Sequence, residues 1–391
     1  MFVYIKNIIF QIQAKHFALN TKNRSDQMWN YLLQKSLEEL NVSLHIPVVD
    51  NFQQTVAKKT YHISFYNPPP YITLRPHAMK SVDFNKCEFK NCRLVHNEVD
   101  TRFSDAVIFD GRFLGTKAVL KAPVRPPGQV WIFAAHECPV EYKVPGTKWM
   151  QPPWMSSFNW TMTYDNTNSD IFLPYGEIRK HSEGHNNNRN FTEIALKKTD
   201  GALIVVSHCW TDGKREVYLK ELKKYFPIKV LGKCGDKWNC GHQYTHDDCF
   251  DILNTTYKFY LAFENGLCRE YYSEKLFENY NYDVLFITRG GFKNDSLTRF
   301  PKGSHISTDQ FKSAKALGEY MTRIANDPSL LARLLKDKSQ YYGVGYEETY
   351  PRAMCQMCKM LNNQHLFRRR ILDIGAWAYN SNPCRKPDDL K

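Results

Sequence analysis

Short, nearly continuous apolar runs recur along this chain, each the length of a strand and each closed by a turn-forming stretch. They are Ala106–Phe109, Val130–Phe133, Ala202–Val206, Tyr257–Phe263 and Val284–Thr288. Because the runs do not alternate apolar with polar, each predicts a strand covered on both faces. Between them lie segments of helix length. Glu216 to Tyr225 predicts one helix, and Leu317, Tyr320, Met321 and Ile324 mark the buried side of another. From Tyr271 onward Tyr272, Leu276 and Tyr280 recur four apart, which predicts a helix there too. Strands separated by helix-length segments predict a parallel α/β architecture.

At 391 residues the chain exceeds the size at which one core keeps growing, so two domains are expected. Asn67-Pro68-Pro69-Pro70 is a rigid, non-helical entry, and the polar His181 to Asn190 stretch reads as an exposed linker. Upstream, Ser25-Asp26 caps an expected helix reaching about Leu40. The net charge is +13, from 53 Lys+Arg against 40 Asp+Glu. A basic surface suits nucleic acid, an anionic membrane or a phosphate-bearing ligand. The basic residues are scattered, with Arg368-Arg369-Arg370 the densest run, and no nucleic-acid-binding signature accompanies them, so no nucleic-acid partner is expected.

Eleven cysteines, several closely spaced, fit disulfides formed in an oxidising lumen. Zinc is the competing reading for Cys234, Cys240, His242, His246 and Cys249, which offer enough N and S ligands for a four-coordinate site. Cys355-Gln-Met-Cys358 is read as a small local disulfide, with a redox pair or half of a zinc site as alternatives. Sequons at Asn23, Asn41, Asn159, Asn190, Asn254 and Asn294 are compatible with secretory passage. The most apolar early segment, Phe2 to Ile12, is interrupted by Lys6, Asn7 and Gln11 and falls short of the roughly 20 apolar residues a membrane span needs.

Candidate chemistry centres on Tyr257 to Asn279, where the buried run stops at Glu264-Asn265-Gly266 before a helix start. Strand, tight loop and helix start together turn free backbone N–H groups and the positive helix end toward a phosphate. Phe259-Tyr-Leu-Ala-Phe-Glu-Asn265, followed by Cys268, Tyr271 and Glu274-Lys275-Leu276, resembles the signature of the α1,3-fucosyltransferases, an inverting family that uses GDP-fucose. The Asp105-Ala-Val-Ile-Phe109 strand, Phe158-Asn-Trp-Thr-Met162 and Pro301-Lys-Gly-Ser304 resemble the same family, and Arg125-Pro-Pro-Gly-Gln129 is a further loop leading into a strand. The cysteine-bearing insert after Gly232 is similar to that of invertebrate-type members.

The resemblance implies a GT-B fold, two Rossmann-like domains facing a central cleft. Residues 1–60 would be a stem-like region, 61–190 the acceptor-side domain, 200–345 the GDP-fucose-binding domain and 346–391 a C-terminal tail carrying Cys355 and Cys358. Glu137, just past a strand end where ligands of parallel sheets bind, is the expected general base. For the donor, the resemblance assigns Arg215 and Lys275 to the diphosphate, Tyr271 as a hydroxyl donor, Glu274 to the ribose diol and Asn265 to the nucleotide side. A cation in a helix's first turn is unfavourable unless an anion is near, which independently supports Arg215. No metal ligand is assigned; no cofactor is required beyond the donor substrate, although a divalent cation could stimulate. Three departures mark the chain: Cys138 for the family's serine after the base, Asp165-Asn166 where an Arg-Asp pair is usual, and Phe286 for proline.

The expected reaction is transfer of L-fucose from GDP-fucose, with inversion, in α1,3 linkage to a GlcNAc-type acceptor on glycoprotein N-glycans. The expected setting is the Golgi lumen; membrane association follows from the resemblance, although no anchor is readable here, as if the chain were truncated or reached the lumen differently. A different nucleotide-sugar transferase, a catalytically inactive glycan-binding relative and a zinc-stabilised interaction module built on 234–249 are the alternatives.

Overall fold

The computed structural model describes residues 45–46, 59–66, 81–95, 101–112, 114, 123–142, 150–152, 154–183, 188–237, 248–381 and 383–390. Two compact units are distinguished, Met1–Pro47 and Val48–Lys391. The expected helix at 25–40, and with it most of the stem-like region, lies outside the described residues, as does the Phe2 to Ile12 segment. Among the described residues no helix is long and apolar enough to cross a membrane.

Within the larger unit the first sheet comprises β1 (Tyr61–Tyr66), β2 (Cys92–Val95), β3 (Ala106–Asp110), β4 (Val130–Ala135), β5 (Trp160–Thr163) and β6 (Ile171–Phe172). Their order is β2-β1-β3-β4-β5-β6, parallel throughout. In β4 the side-chain alternation splits an unbroken apolar run between two cores. Val130, Ile132 and Ala134 join one cluster, while Trp131, Phe133 and Ala135 join the other.

The second sheet comprises β7 (Asp200–Val205), β8 (Ile228–Leu231), β9 (Tyr257–Phe263), β10 (Leu285–Arg289) and β11 (Ile306–Ser307), ordered β8-β7-β9-β10-β11 and again parallel. Phe259, Leu261 and Phe263 of β9 face the core shared with α4 (Ala314–Ala325) and α5 (Pro328–Lys338); Tyr260 and Ala262 face the other side. Between the strands stand α2 (Arg215–Leu222) and α3 (Glu274–Phe277). Two parallel α/β halves with linked carboxyl ends are the expected GT-B arrangement.

Two expectations change. The helix expected from Tyr271 is the single turn α3, because Tyr271, Tyr272, Leu276, Phe277 and Tyr280 are all buried and leave no solvent face for an amphipathic helix. Residues from 346, expected as a tail, instead build α6 (Tyr346–Asn362), whose Tyr350, Met354, Met357 and Leu361 pack on the first sheet beside Ile63, Ile108 and Trp160. Helix α7 (Ile374–Ser381) adds Ile374, Trp377 and Ala378 to that sheet's other face.

The expected Cys355–Cys358 disulfide is corrected by this packing. Cys355 is bonded to Cys87 and Cys358 to Cys92, with Cα separations of 5.3 and 5.9 Å. Residues three apart on a helix project side by side toward the neighbouring layer, so each sulfur meets one from that layer rather than the other. Non-reducing peptide mapping should recover Cys87 linked to Cys355 and Cys92 linked to Cys358, with no 355–358 link. Because the 92–358 bridge spans 266 residues, the Cys92→Ala/Cys358→Ala double variant should lose about 2–5 kcal/mol of unfolding free energy in a denaturant titration.

Cys209–Cys234 and Cys268–Cys384 are also bridged, which removes Cys234 from the competing zinc reading. Cys240, His242 and His246 lie outside the described residues, and no group of three or more candidate metal ligands occurs among the described ones. The side chain of Asn159 accepts from Trp131 N and donates to Arg369 O, so this sequon is held in the fold's interior bonding.

Candidate active site

The carboxyl ends of the two sheets meet through side chains. Glu137 follows β4 and precedes the turn α1 (Pro139–Tyr142); its side chain is 29% exposed. Tyr271 Oη, from the other half, donates to Glu137 Oε2 at 2.8 Å, and Arg112 Nη1 lies 3.5 Å from Oε1. Burial, then the charge of Glu137, pushes the Tyr271 phenol well above its usual value, so it stays protonated and donates. The resemblance assigns Tyr271 as a hydroxyl donor on the donor side; in this structure its hydroxyl bonds the Glu137 carboxylate.

The Cys138 thiol is fully buried and donates to Asn265 Oδ1 at 3.6 Å. Burial first, then Glu137, Glu141 and Glu264, raises its pKa, so the substituted cysteine remains a neutral thiol beside the carboxylate rather than a competing nucleophile. A Cβ on Gly266 would stand 2.6 Å from Cys138 Sγ and 2.9 Å from Val140 Cγ2, which is why the motif turn needs glycine where the halves touch.

Lys275 Nζ donates to Ser273 Oγ at 2.9 Å and to Glu274 Oε1 at 3.1 Å, with Glu264 Oε2 at 3.6 Å. Burial works to lower its pKa, but Glu274 and Glu264 outweigh it and hold the ammonium above its ordinary value. Glu264, absent from the expected set, is fully buried and accepts from Ser273 N at 2.7 Å and Ser273 Oγ at 2.8 Å. Burial raises its pKa while Lys275 opposes the rise. A carboxylate closing a seven-residue strand that is apolar at every position but Lys258 was the available sequence signal, because such a group is buried only when paired. Gly290 backs this arrangement, since a Cβ there would lie 2.9 Å from Glu264 Cγ and from Tyr271 O.

Arg215 opens α2, as expected, but is only 4% exposed; Nη1 donates to Phe263 O at 3.1 Å and Nη2 to His208 O at 2.8 Å. Its charge acts on both Lys275 and Glu141, so it belongs to the same electrostatic neighbourhood. Glu274 pairs with Lys275, and Asn265 O accepts from Gly213 N at 2.7 Å. The six expected side chains thus group as Glu137 with Tyr271, Glu274 with Lys275, Asn265 against Cys138, and Arg215 behind the strand ends.

A further pair fixes the motif loop. Asp165, completely buried, accepts from Arg269 Nη2 at 2.7 Å and Nε at 3.2 Å, and Glu270 Oε2 accepts from Asn166 N at 3.0 Å. The Asp165-Asn166 departure therefore ties the first half to the loop that presents Tyr271. Asp165→Ala should lower unfolding free energy by about 2–3 kcal/mol, less than a fully buried pair because Arg269 reaches solvent. Denaturant unfolding measures it, and an unchanged midpoint would remove the tie. Arg289, also unexpected, is buried and bonds Asp389 through Nε and Nη2, both at 2.8 Å, and Gly213 O through Nη1 at 2.6 Å.

Two family models match this chain: "Fucosyltransferase, N-terminal" over residues 58–176 and "Glycosyltransferase family 10 (fucosyltransferase) C-term" over 195–377. Glycoprotein 3-alpha-L-fucosyltransferase A of Drosophila melanogaster is 31% identical over 76% of this chain and 56% of its own length. Alpha-(1,3)-fucosyltransferase C of the same organism is 30% identical over 77% of this chain and 70% of its own. Human alpha-(1,3)-fucosyltransferase 4 is 27% identical over 72% and 50%. The chain thus spans between half and about two thirds of the length of these relatives. A crystal structure of an alpha1,3-fucosyltransferase with GDP-fucose aligns with 81% of this chain and 94% of its own at 15% identity, TM-score 0.49.

Proposed function

Because the chain belongs to glycosyltransferase family 10, the fucosyltransferases, we propose that it transfers L-fucose from GDP-fucose to O3 of a GlcNAc-type residue on a glycoprotein glycan. The observation that carries this reading is the 2.8 Å bond by which a motif tyrosine holds a partly exposed carboxylate at the junction of the two sheets. Inversion needs one base on the face opposite the leaving group. Glu137 takes the proton of the acceptor hydroxyl as that oxygen bonds to the anomeric carbon and the bond to the GDP oxygen breaks. Positive charge grows on the sugar ring and negative charge on the diphosphate. Lys275 and Arg215 supply the opposing charge, Glu264 and Ser273 hold the lysine in place, and a divalent cation is no obligate part of it. Glu274 remains assigned to the ribose and Asn265 to the nucleotide side.

The four cystine bridges among the described residues support maturation in an oxidising compartment, with the Golgi lumen the proposed place of action. The deciding experiment incubates secreted protein with GDP-fucose and two acceptors, a chitobiose-core glycopeptide and N-acetyllactosamine, and assigns any new linkage by NMR. An α1,3-fucoside on GlcNAc is expected. GDP-fucose binding without transfer would identify an inactive relative, and absence of both would remove the reading.

A further inference from the structure

We propose that Trp210 is the platform of a glycan subsite on the lip of the cleft, where a neutral sugar ring of the acceptor chain lies against the indole. The inference rests on the transferase reading above. Trp210 is 81% exposed, the most exposed large apolar side chain among the described residues. Folding has left the largest side chain of the set in water, on a loop that is tied down around it. Cys209 is bridged to Cys234, the His208 carbonyl accepts from Arg215, and Thr211 is buried with its hydroxyl donating to Glu216 at 2.9 Å.

The two ends of this loop lead to the neighbours of Glu137. At one end His208 Nδ1 stands 3.5 Å from Glu141 Oε1, one turn beyond Glu137 on α1. At the other, Gly213 N donates to Asn265 O, and Asn265 accepts from Cys138, the residue after Glu137. Trp210 is therefore held between two contacts to the residues that directly follow the base. In an inverting transfer the acceptor arrives on the base's side and the nucleotide leaves on the other, so a ligand at this lip is the acceptor chain. An indole offers a broad apolar face with a partial negative charge, matching the C–H face of a pyranose, while the sugar's hydroxyls stay in solvent at its edge. A rigid aromatic presented this way loses little conformational freedom on binding.

The test compares Trp210→Ala and Trp210→Phe with the wild-type full chain, using the chitobiose-core glycopeptide and N-acetyllactosamine as probes. For whichever acceptor is used, the alanine variant should raise acceptor KM about tenfold or more, with kcat and the GDP-fucose KM within twofold. The phenylalanine variant, keeping an aromatic face, should recover much of the loss. An acceptor KM within twofold of wild type overturns the subsite. So does a rise confined to the GDP-fucose KM, which would give the indole to the nucleotide. If the wild-type protein transfers fucose to neither probe, the transferase reading fails separately, and saturation-transfer NMR of the same glycans decides the subsite without turnover. Wild-type binding that the alanine variant loses supports it, and no binding or equal binding overturns it.

Discussion

Glu137→Gln is expected to lower kcat by a factor on the order of 10² to 10⁴ while leaving GDP-fucose affinity near wild type. The amide keeps the size of the side chain and can still accept from Tyr271 Oη, so the junction between the halves is preserved. What it loses is the capacity to take a proton from the acceptor hydroxyl. Calorimetry with GDP-fucose beside initial-rate kinetics separates the two effects. Near-normal turnover would return Glu137 to the role of a strand-end carboxylate that anchors Tyr271, and weakened GDP-fucose binding with unchanged kcat would move it to the donor site.

Lys275→Ala should weaken both GDP and GDP-fucose by at least tenfold, since the diphosphate is common to them, and should lower turnover further because leaving-group charge grows in the transition state. The surroundings of Lys275 add a second consequence. Its ammonium is 19% exposed and is the cation beside the fully buried Glu264. Removing it leaves that carboxylate with the two hydrogen bonds from Ser273 alone, at a cost of about 2 kcal/mol, below the range for a pair left wholly uncompensated. Burial already raises the Glu264 pKa and Lys275 opposes the rise, so the variant raises it further. An acid whose folded-state pKa lies above its unfolded value binds protons more readily when folded, so stability is gained as pH falls through the folded pKa. The variant's stability deficit should therefore shrink in mildly acidic buffer, while its GDP affinity stays low there. Lys275→Arg should restore only part of the binding, because a planar fork does not fit a point-charge position beside Glu264 and Glu274. Unchanged GDP affinity in the alanine variant would make the motif a structural one.

Tyr257–Phe263 was legible from the sequence alone, because a seven-residue run with bulky apolar side chains at five positions and no apolar–polar alternation has one economical fate, a strand covered on both faces. The same holds for Val130–Ala135, and with it for the place of Glu137 just past a strand end. The helix after Tyr271 was misread from the same kind of signal. A four-residue spacing of Tyr272, Leu276 and Tyr280 is the mark of one buried face, yet Tyr271 and Phe277 are buried too, and a segment enclosed on every side needs no solvent-facing helix.

Partners across long separations lay beyond the pattern altogether. Local sequence determined that two parallel α/β layers would form, that a carboxylate, a turn and a lysine would stand at their carboxyl ends, and that the cysteines would serve an oxidised fold. Tertiary structure alone decided that Cys355 meets Cys87 rather than Cys358, that Tyr271 points its hydroxyl at Glu137, that Asp165 is neutralised by Arg269, and that α6 returns to the first sheet. Side-chain periodicity records which face of an element is buried, because burial acts residue by residue. It carries no record of which distant element supplies the cover, and these contacts join positions about 100 to 270 residues apart, whose meeting depends on how the layers stack.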